Sequence, residues 1–163
     1  MKHTPLYQEH MAMGGQMGCF KGYALPSQYL GVEDEHRAVR EKSGLFDRSY
    51  LTRVLIIGPN AAVAIQRITT NDVSEMQEGD CAYTLICNEK GGIMDDVVVY
   101  KWNESTYGMT IHPQNRGKIL QHLKDHGLPG AKVMDLTEKT AQITLQGPHS
   151  KHILSCICQQ LPE

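Results

Sequence analysis

No apolar run in this 163-residue sequence approaches the ~18 residues that a membrane-spanning helix needs, so no membrane partner is expected. An excess of charge is missing too: 16 Lys and Arg against 18 Asp and Glu leave a formal net charge of -2. That provides no basic field to gather phosphate backbones, and nucleic acid is not an expected partner. Neither G-x-G-x-x-G nor G-x-x-x-x-G-K-[ST] occurs, which removes the loops that cradle a dinucleotide or a nucleotide phosphate. The five cysteines, at 19, 81, 87, 156 and 158, are odd in number and follow no framework spacing, and no signal peptide is evident, so a reducing, cytoplasmic setting is expected.

What remains is an ordinary globular composition, 40% hydrophobic and 21% charged. The length suits one domain of usual size, able to bury about two thirds of its unfolded surface. Metal-like spacings are present but weak. Cys156 and Cys158 fall in an expected helix, where residues two apart point roughly 200° away from each other. His122 with His126, and His149 with His152, could each face one ion from a helix, but neither pair has a third ligand at a telling distance. "HLKDHG" also reads as a helix end, with histidine near the C-terminal dipole and Gly127 as C-cap, so no metal site is expected.

The elements alternate along the chain. "TPLYQEHMAMGG" reads as a short helix with Thr4 as N-cap and Pro5 in its first turn. After the irregular "CFKGYALPSQY", a second helix is expected over "GVEDEHRAVREKSG", with acids first, bases last and Val32, His36 and Val39 on one stripe. "YLTRVLII" is a β-branched strand ending at Gly58-Pro59, followed by helical spacing at Ala62, Ile65 and Ile68. "TAQITLQGPHSKHILSCI" repeats the device as strand, Gly147-Pro148, helix. Between the two lie a hairpin over 82–102, the strand "YGMTIH", the helix "NRGKILQHLKDHG" and the strand "AKVMDL". Together they predict an α+β fold with mixed or antiparallel sheets and packed helices.

The hairpin holds the unusual feature. In "YTLICNEKGGIMDDVVVYKW" a glycine-containing turn is followed by Asp95 and Asp96 in an otherwise apolar strand. Side chains alternate, so the two carboxylates face opposite sides: Asp96 with Met94, Val98 and Tyr100, Asp95 with Ile93, Val97 and Val99. That alternation excludes a carboxylate dyad. One of them lies on a packed face, where an unpaired charge costs several kcal/mol, so it needs partners or a function. Capping of the turn, binding of backbone N–H groups near the strand start, and a functional carboxylate all fit the pattern.

Five collinear pieces, "TPLYQEH", "EHRAVREKSGLFD", "ITTND", "CNEKGGIMDDVVVYK" and "LQGP", resemble in order and spacing the N-terminal half of the glycine cleavage system T protein family, from residue 4 to about residue 150. The resemblance implies a three-domain cloverleaf fold around a folate pocket, of which residues 1–163 are a truncated N-terminal portion. It implies tetrahydrofolate as cofactor, lipoylated H protein as partner, and transfer of an aminomethyl carbon to give 5,10-methylenetetrahydrofolate and ammonia, with no metal or nucleotide required. By the same resemblance Asp96 is the catalytic carboxylate, Tyr83 lines the pterin site, Thr70, Asn71 and Asp72 match the "TND" segment nearby, and Asp95 holds the turn.

The chain departs from the family at pocket positions. It reads "FKGYALP" with Tyr23 where tryptophan is usual, "FDRSYLT", including Leu51, where the family has "FDVSHMG", and "HPQN" with His112 where a folate-contacting asparagine is usual. These changes keep open a related folate-dependent demethylase or one-carbon transferase, and a non-catalytic folate-binding fragment. The sequence also ends before the family's later folate contacts, so a complementary C-terminal chain or homo-oligomerisation is expected to cover the apolar surface left by the missing part.

Overall fold

A computed structural model describes residues 1–127, 129–159 and 161 and separates into two compact units, residues 1–50 with 138–163, and residues 51–137. In chain order the elements are β1 (Lys2–His3), α1 (Tyr7–Ala12), β2 (Gln16–Phe20), β3 (Tyr23–Gln28), α2 (Val32–Glu41), β4 (Gly44–Asp47), β5 (Thr52–Ile57), α3 (Ala61–Gln66), β6 (Cys81–Cys87), β7 (Ile93–Asn103), β8 (Thr106–Ile111), α4 (Arg116–Asp125), β9 (Lys132–Asp135), β10 (Ile143–Gln146) and α5 (Ser150–Ser155). A 3-10 turn over Pro113–Asn115 leads into α4. The expected α+β class and both strand, Gly-Pro, helix devices are present.

The first unit holds a three-stranded sheet in the order β1-β3-β2, a two-stranded sheet of β10 and β4, and helices α1, α2 and α5. Three local expectations change here. Thr4 does not cap α1; its hydroxyl donates instead to Asp47 Oδ2 at 2.7 Å, and the helix begins three residues later. The stretch read as irregular is the β2–β3 hairpin, which accommodates Pro26 beside a register shift between Gln16 and Met17, where the lost N–H breaks no regular ladder. Helix α2 turns Glu35, Ala38 and Val39 inward and leaves Val32 and His36 exposed. The rotation has a cause: one Glu35 carboxylate oxygen accepts the backbone N–H groups of Tyr29, Leu30 and Gly31 at 2.6, 2.7 and 3.2 Å, tying the side chain back over the helix start.

The second unit is a five-stranded sheet in the order β6-β7-β8-β5-β9. All of its pairings are antiparallel, so each strand presents one face to a core and the other away from it. Val54, Ile56, Ile86, Val97, Val99, Tyr107, Met109 and Ile111 line the core face, where Ile65 of α3 and Ile119 and Leu123 of α4 pack against them. The residues between these, among them Arg53, Leu85, Asp96, Val98, Tyr100 and Thr110, form a partly exposed face. The expected stripe of α3 faces the core, with Ile65 buried in it, Ala62 packed against it and Ile68 joining from just beyond the helix end, and Ala61 and Ala64 are buried beside it.

Candidate functional site

The partly exposed face of the second sheet gathers Asp96, Tyr83, His112 and Leu51 at one end, through strand register. Leu85 pairs with Asp96, Val98 with Thr110, and Thr52 with Ile111. Continuing the same antiparallel register one or two positions makes Leu85, Asp96, His112 and Leu51 one row across four strands, and directly opposed residues share a face. Tyr83 lies two residues away on β6, diagonal to Asp96.

Asp96 sits at the centre of this row with its side chain 42% exposed. Its Oδ2 accepts the hydroxyl of Tyr83, whose ring is 65% exposed. That hydrogen bond, followed by slight desolvation and the negative charges of Asp96 and Asp95, pushes the Tyr83 phenol above its ordinary range. On the other side, Asp96 Oδ1 lies 3.5 Å from His112 Nδ1.

Asp95 belongs to the core face and is only 4% exposed. Three N–H groups converge on it: the backbone N–H of His112 at 3.0 Å, the Asn115 side-chain amide at 2.8 Å, and His112 Nδ1 at 3.1 Å. Such a set offsets the cost of burying a carboxylate. The expectation that Asp95 holds the hairpin turn is therefore corrected. Asn88 holds that turn, its Oδ1 accepting from Lys90 and Gly92 backbone N–H at 3.0 and 2.9 Å, while Asp95 ties β7 to the connection between β8 and α4. The two carboxylates do leave opposite faces of the strand, as alternation requires, yet they are not independent. His112 stands where β8 ends and the chain turns, so one ring nitrogen meets an oxygen from each.

The other predicted contacts take varied positions. Residues 69–71 run beside β6: Thr69 bridges Ile86, Thr70 donates its N–H to the Leu85 carbonyl at 3.0 Å, and the Asn71 N–H reaches Thr84 Oγ1 at 3.1 Å. Asn71 is thus on the flank beyond Tyr83, exposed, and not in the Asp96 row. Asp72 is used locally, accepting from the Ser74 N–H and hydroxyl at 2.9 and 2.6 Å. Leu51 continues the row at the far strand but is only 7% exposed, with its carbonyl accepting from Arg53 Nη1 at 2.7 Å. Asn115 was missed by sequence reasoning. It stands at the N-cap of α4, where asparagine usually bonds its own helix, but here it makes no side-chain cap and points to Asp95 instead.

The first unit carries a separate polar cluster. His10 bridges Tyr29 and Asp47, with Nδ1 2.6 Å from the phenol and Nε2 2.9 Å from Oδ2, and these groups line a largely apolar cavity of about 740 Å³. Burial raises the Asp47 carboxyl, but hydrogen bonds from Ser49, Thr4 and His10 outweigh it and hold the group below its ordinary range. Burial, with the charges of Asp47 and Glu35, pushes the Tyr29 phenol up. Among the described residues, the other histidines and cysteines form no group of three that could hold an ion. His122 and His126 stand with ring centroids 4.3 Å apart, and Cys156 and Cys158 are exposed free thiols past the end of α5. The helix-end reading of "HLKDHG" holds, although His126 rather than Gly127 is the capping residue of α4.

Comparison with known proteins places this geometry in context. Residues 6–162 match the GCVT N-terminal domain family. The chain is 36% identical over 160 residues to an aminomethyltransferase of Halalkalibacterium halodurans, covering 98% of this chain and 44% of that relative. It is 40% identical over 155 residues to an aminomethyltransferase of Rubrobacter xylanophilus, covering 94% and 41% respectively. Among solved structures it resembles glycine cleavage system aminomethyltransferase T from Bartonella henselae, with TM-score 0.89, 27% identity, and coverage of 98% of this chain and 45% of that one. The chain thus spans less than half the length of the relatives it matches. No helix among the described residues is long and apolar enough to cross a membrane.

Proposed function

The chain belongs to the GCVT N-terminal domain family, and from that premise we propose that it supplies the catalytic-carboxylate half of a tetrahydrofolate-dependent aminomethyl transfer in glycine cleavage. In this reading residues 1–163 correspond to the N-terminal part of a three-domain folate-binding protein, acting in the cytoplasm and completed by a C-terminal chain or by a second copy. The donor is the aminomethylated lipoyl arm of H protein; the products are ammonia and 5,10-methylenetetrahydrofolate. The observation that carries the reading is Asp96, a half-exposed carboxylate on a sheet face, held on one side by the phenol of the exposed Tyr83.

The donor set fits a reduced pterin. Asp96 presents a carboxylate to ring N–H groups, Tyr83 an aromatic surface, and Leu85 and Val98 an apolar floor. When bound, tetrahydrofolate supplies the nucleophilic nitrogen that accepts the one-carbon unit. The work of the chain is positional and electrostatic. Asp96 stabilises positive charge developing at the transferring carbon, and Tyr83 fixes that carboxylate without neutralising it. Asp95 acts one step removed: by holding the His112 backbone and the Asn115 side chain it sets the end of β8 against Asp96.

A second reading, a related folate-dependent demethylase or one-carbon transferase, is favoured by the His112 ring itself. An imidazole 3.5 Å from Asp96 offers a proton-transfer group where an asparagine would offer only hydrogen bonds. A third, a non-catalytic folate-binding fragment, shares the pocket residues without the turnover. The separating experiment measures ammonia release from aminomethylated H protein by the chain with a complementary C-terminal half, with and without tetrahydrofolate. Turnover that depends on both and is lost in Asp96→Asn supports aminomethyl transfer. Folate binding without turnover leaves the binding fragment, and demethylation of an N-methyl donor in its place selects the second reading.

A further inference from the structure

The cluster of Asp95, Asp96 and His112 brings three ligand atoms together, and we propose that it binds one first-row divalent metal ion through an oxygen of each carboxylate and Nδ1 of the imidazole. Among the described residues this is the group whose histidine and carboxylate donors converge, all within 4.8 Å of one another. Two of the separations, 3.1 and 3.5 Å from His112 Nδ1 to the oxygens of Asp95 and Asp96, bracket the spacing of about 3.4 Å between two ligands each ~2.1 Å from an ion in tetrahedral geometry. An ion bound here takes the place of the Nδ1 proton that Asp95 otherwise accepts, so binding displaces that proton.

The surroundings are those of a metal site. Each carboxylate is oriented by an outer group: the Asn115 amide donates at 2.8 Å to Asp95 Oδ1, the oxygen that also faces the ring, and the Tyr83 hydroxyl donates to Asp96 Oδ2, leaving Oδ1 turned to the ring. One wall is closed and one is open. The Asp95 side chain is 2% exposed, whereas those of His112 and Asp96 are 31% and 42% exposed, which gives an ion a route in and leaves room for water ligands. One nitrogen and two oxygens suit Zn²⁺, Co²⁺ or Mn²⁺; they suit neither soft thiophilic ions nor Mg²⁺, which prefers an all-oxygen shell. This inference goes beyond the aminomethyl-transfer reading and does not need it. Were both correct, an ion on Asp96 would compete with the folate reaction and inhibit it.

The test is titration of the intact chain with Co²⁺ and with Zn²⁺, read by the visible absorption of bound Co²⁺ and by calorimetry, with Mg²⁺ as the comparison. One ion per chain is expected, weakened at least about tenfold in His112→Asn and in Asp96→Asn. Asp96 is half-exposed and meets the buried Asp95 cluster only through the His112 ring, so Asp96→Asn should stay folded even if His112→Asn does not, and circular dichroism checks both. Binding should survive in His126→Ala and in the double variant Cys156→Ser, Cys158→Ser. No Co²⁺ binding by the unaltered chain would overturn the proposal, and so would binding that persists in both site variants or that is lost only in the control variants. Because the readout is the metal on the chain, the result does not depend on whether aminomethyl transfer is the reaction.

Discussion

The phenol of Tyr83 donates its hydrogen bond across to Asp96 on the neighbouring strand, although the register pairs Tyr83 with Val98 and Asp96 with Leu85. The contact is a diagonal one, two residues out of step, within reach of a long aromatic side chain. It couples the acidities of the two groups, since deprotonating the phenol removes the donor and places a second negative charge beside the first. Asp96→Asn is therefore expected to bring the Tyr83 phenol back down toward its ordinary value near 10. The check is a pH titration of selectively labelled tyrosine by NMR. A Tyr83 resonance that titrates identically in both proteins would show that the hydrogen bond does not form in solution.

The proposed aminomethyl transfer gives the same pair different weights. In the chain reconstituted with its C-terminal half, Asp96→Asn should lower kcat by about 10²–10³-fold, the usual loss when an electrostatic partner of the transition state is removed. Tyr83→Phe, which keeps the ring and removes only the donor, should cost roughly tenfold. Ammonia-release kinetics with saturating tetrahydrofolate decide this. Tyr83→Phe losing as much as Asp96→Asn would mean the phenol itself, not the carboxylate, contacts the reacting atoms.

Asp95 is expected to matter for stability first. It is buried and accepts from three N–H groups, and replacing it by alanine leaves those donors unpaired. A loss of about 2–4 kcal/mol follows from the usual cost of stranding buried polar groups. Urea denaturation measures it. A midpoint unchanged from the parent chain would mean that water replaces the carboxylate without penalty and that the β8–α4 connection is held by other contacts.

The sequence conveyed the second unit better than the first. The alternation in 93–100, the glycine-containing turn and the Gly58-Pro59 break each follow from local rules, and the strands they imply are there. Asp96 drew attention as a charge in an apolar strand, and Asp96 and Tyr83 both through the family pattern; the structure joins the two by a hydrogen bond. The meeting of the two aspartates on His112 was not. It depends on how far β8 slides against β7 and on where the chain bends at Pro113, which are register properties that single-strand periodicity does not encode. The β2–β3 hairpin was hidden for a related reason: Gly18 and Pro26 dilute its pattern, and a bulge rather than a regular ladder absorbs the proline. Thr4 was misread because its hydroxyl has a partner 43 residues away, and tertiary contact overrode the local capping preference.

Gly58 gives a prediction about the scaffold. Its φ is +130°, and a β-carbon there would come within 1.9 Å of the Gly130 carbonyl oxygen, so an alanine meets both backbone strain and a backbone atom that cannot swing aside. Gly58→Ala should destabilise the chain by at least about 2 kcal/mol, more than the entropy it saves in the unfolded state. Gly117 is the control, because a β-carbon there meets nothing within 4 Å and lies inside α4, where Gly117→Ala should be neutral or stabilising. Thermal unfolding of both variants tests the pair; equal midpoints would show that the strand-to-helix turn relaxes freely.

The last prediction concerns acid sensitivity. His122 is on α4, its Nε2 is buried without a hydrogen-bond partner among the described residues, and its ring stands 4.3 Å from that of His126. Desolvation, reinforced by the charge of His126, lowers its affinity for a proton; the weaker pulls of the Cys87 backbone, Asp125 and Glu89 do not restore it. The folded state therefore holds His122 neutral where the unfolded chain, titrating near 6.5, already binds a proton. Stability from this group is fully present above that range and is lost as pH falls through it toward the lower folded value. Carboxylates such as Asp47 and Asp135, held below their ordinary range, add their own loss only at more acid pH. Urea midpoints at pH 7.5 and pH 5.5 should thus differ in the parent chain and converge in His122→Gln. A parent midpoint that is flat over this interval, or that rises on acidification, would show that the ring is charged in the folded protein.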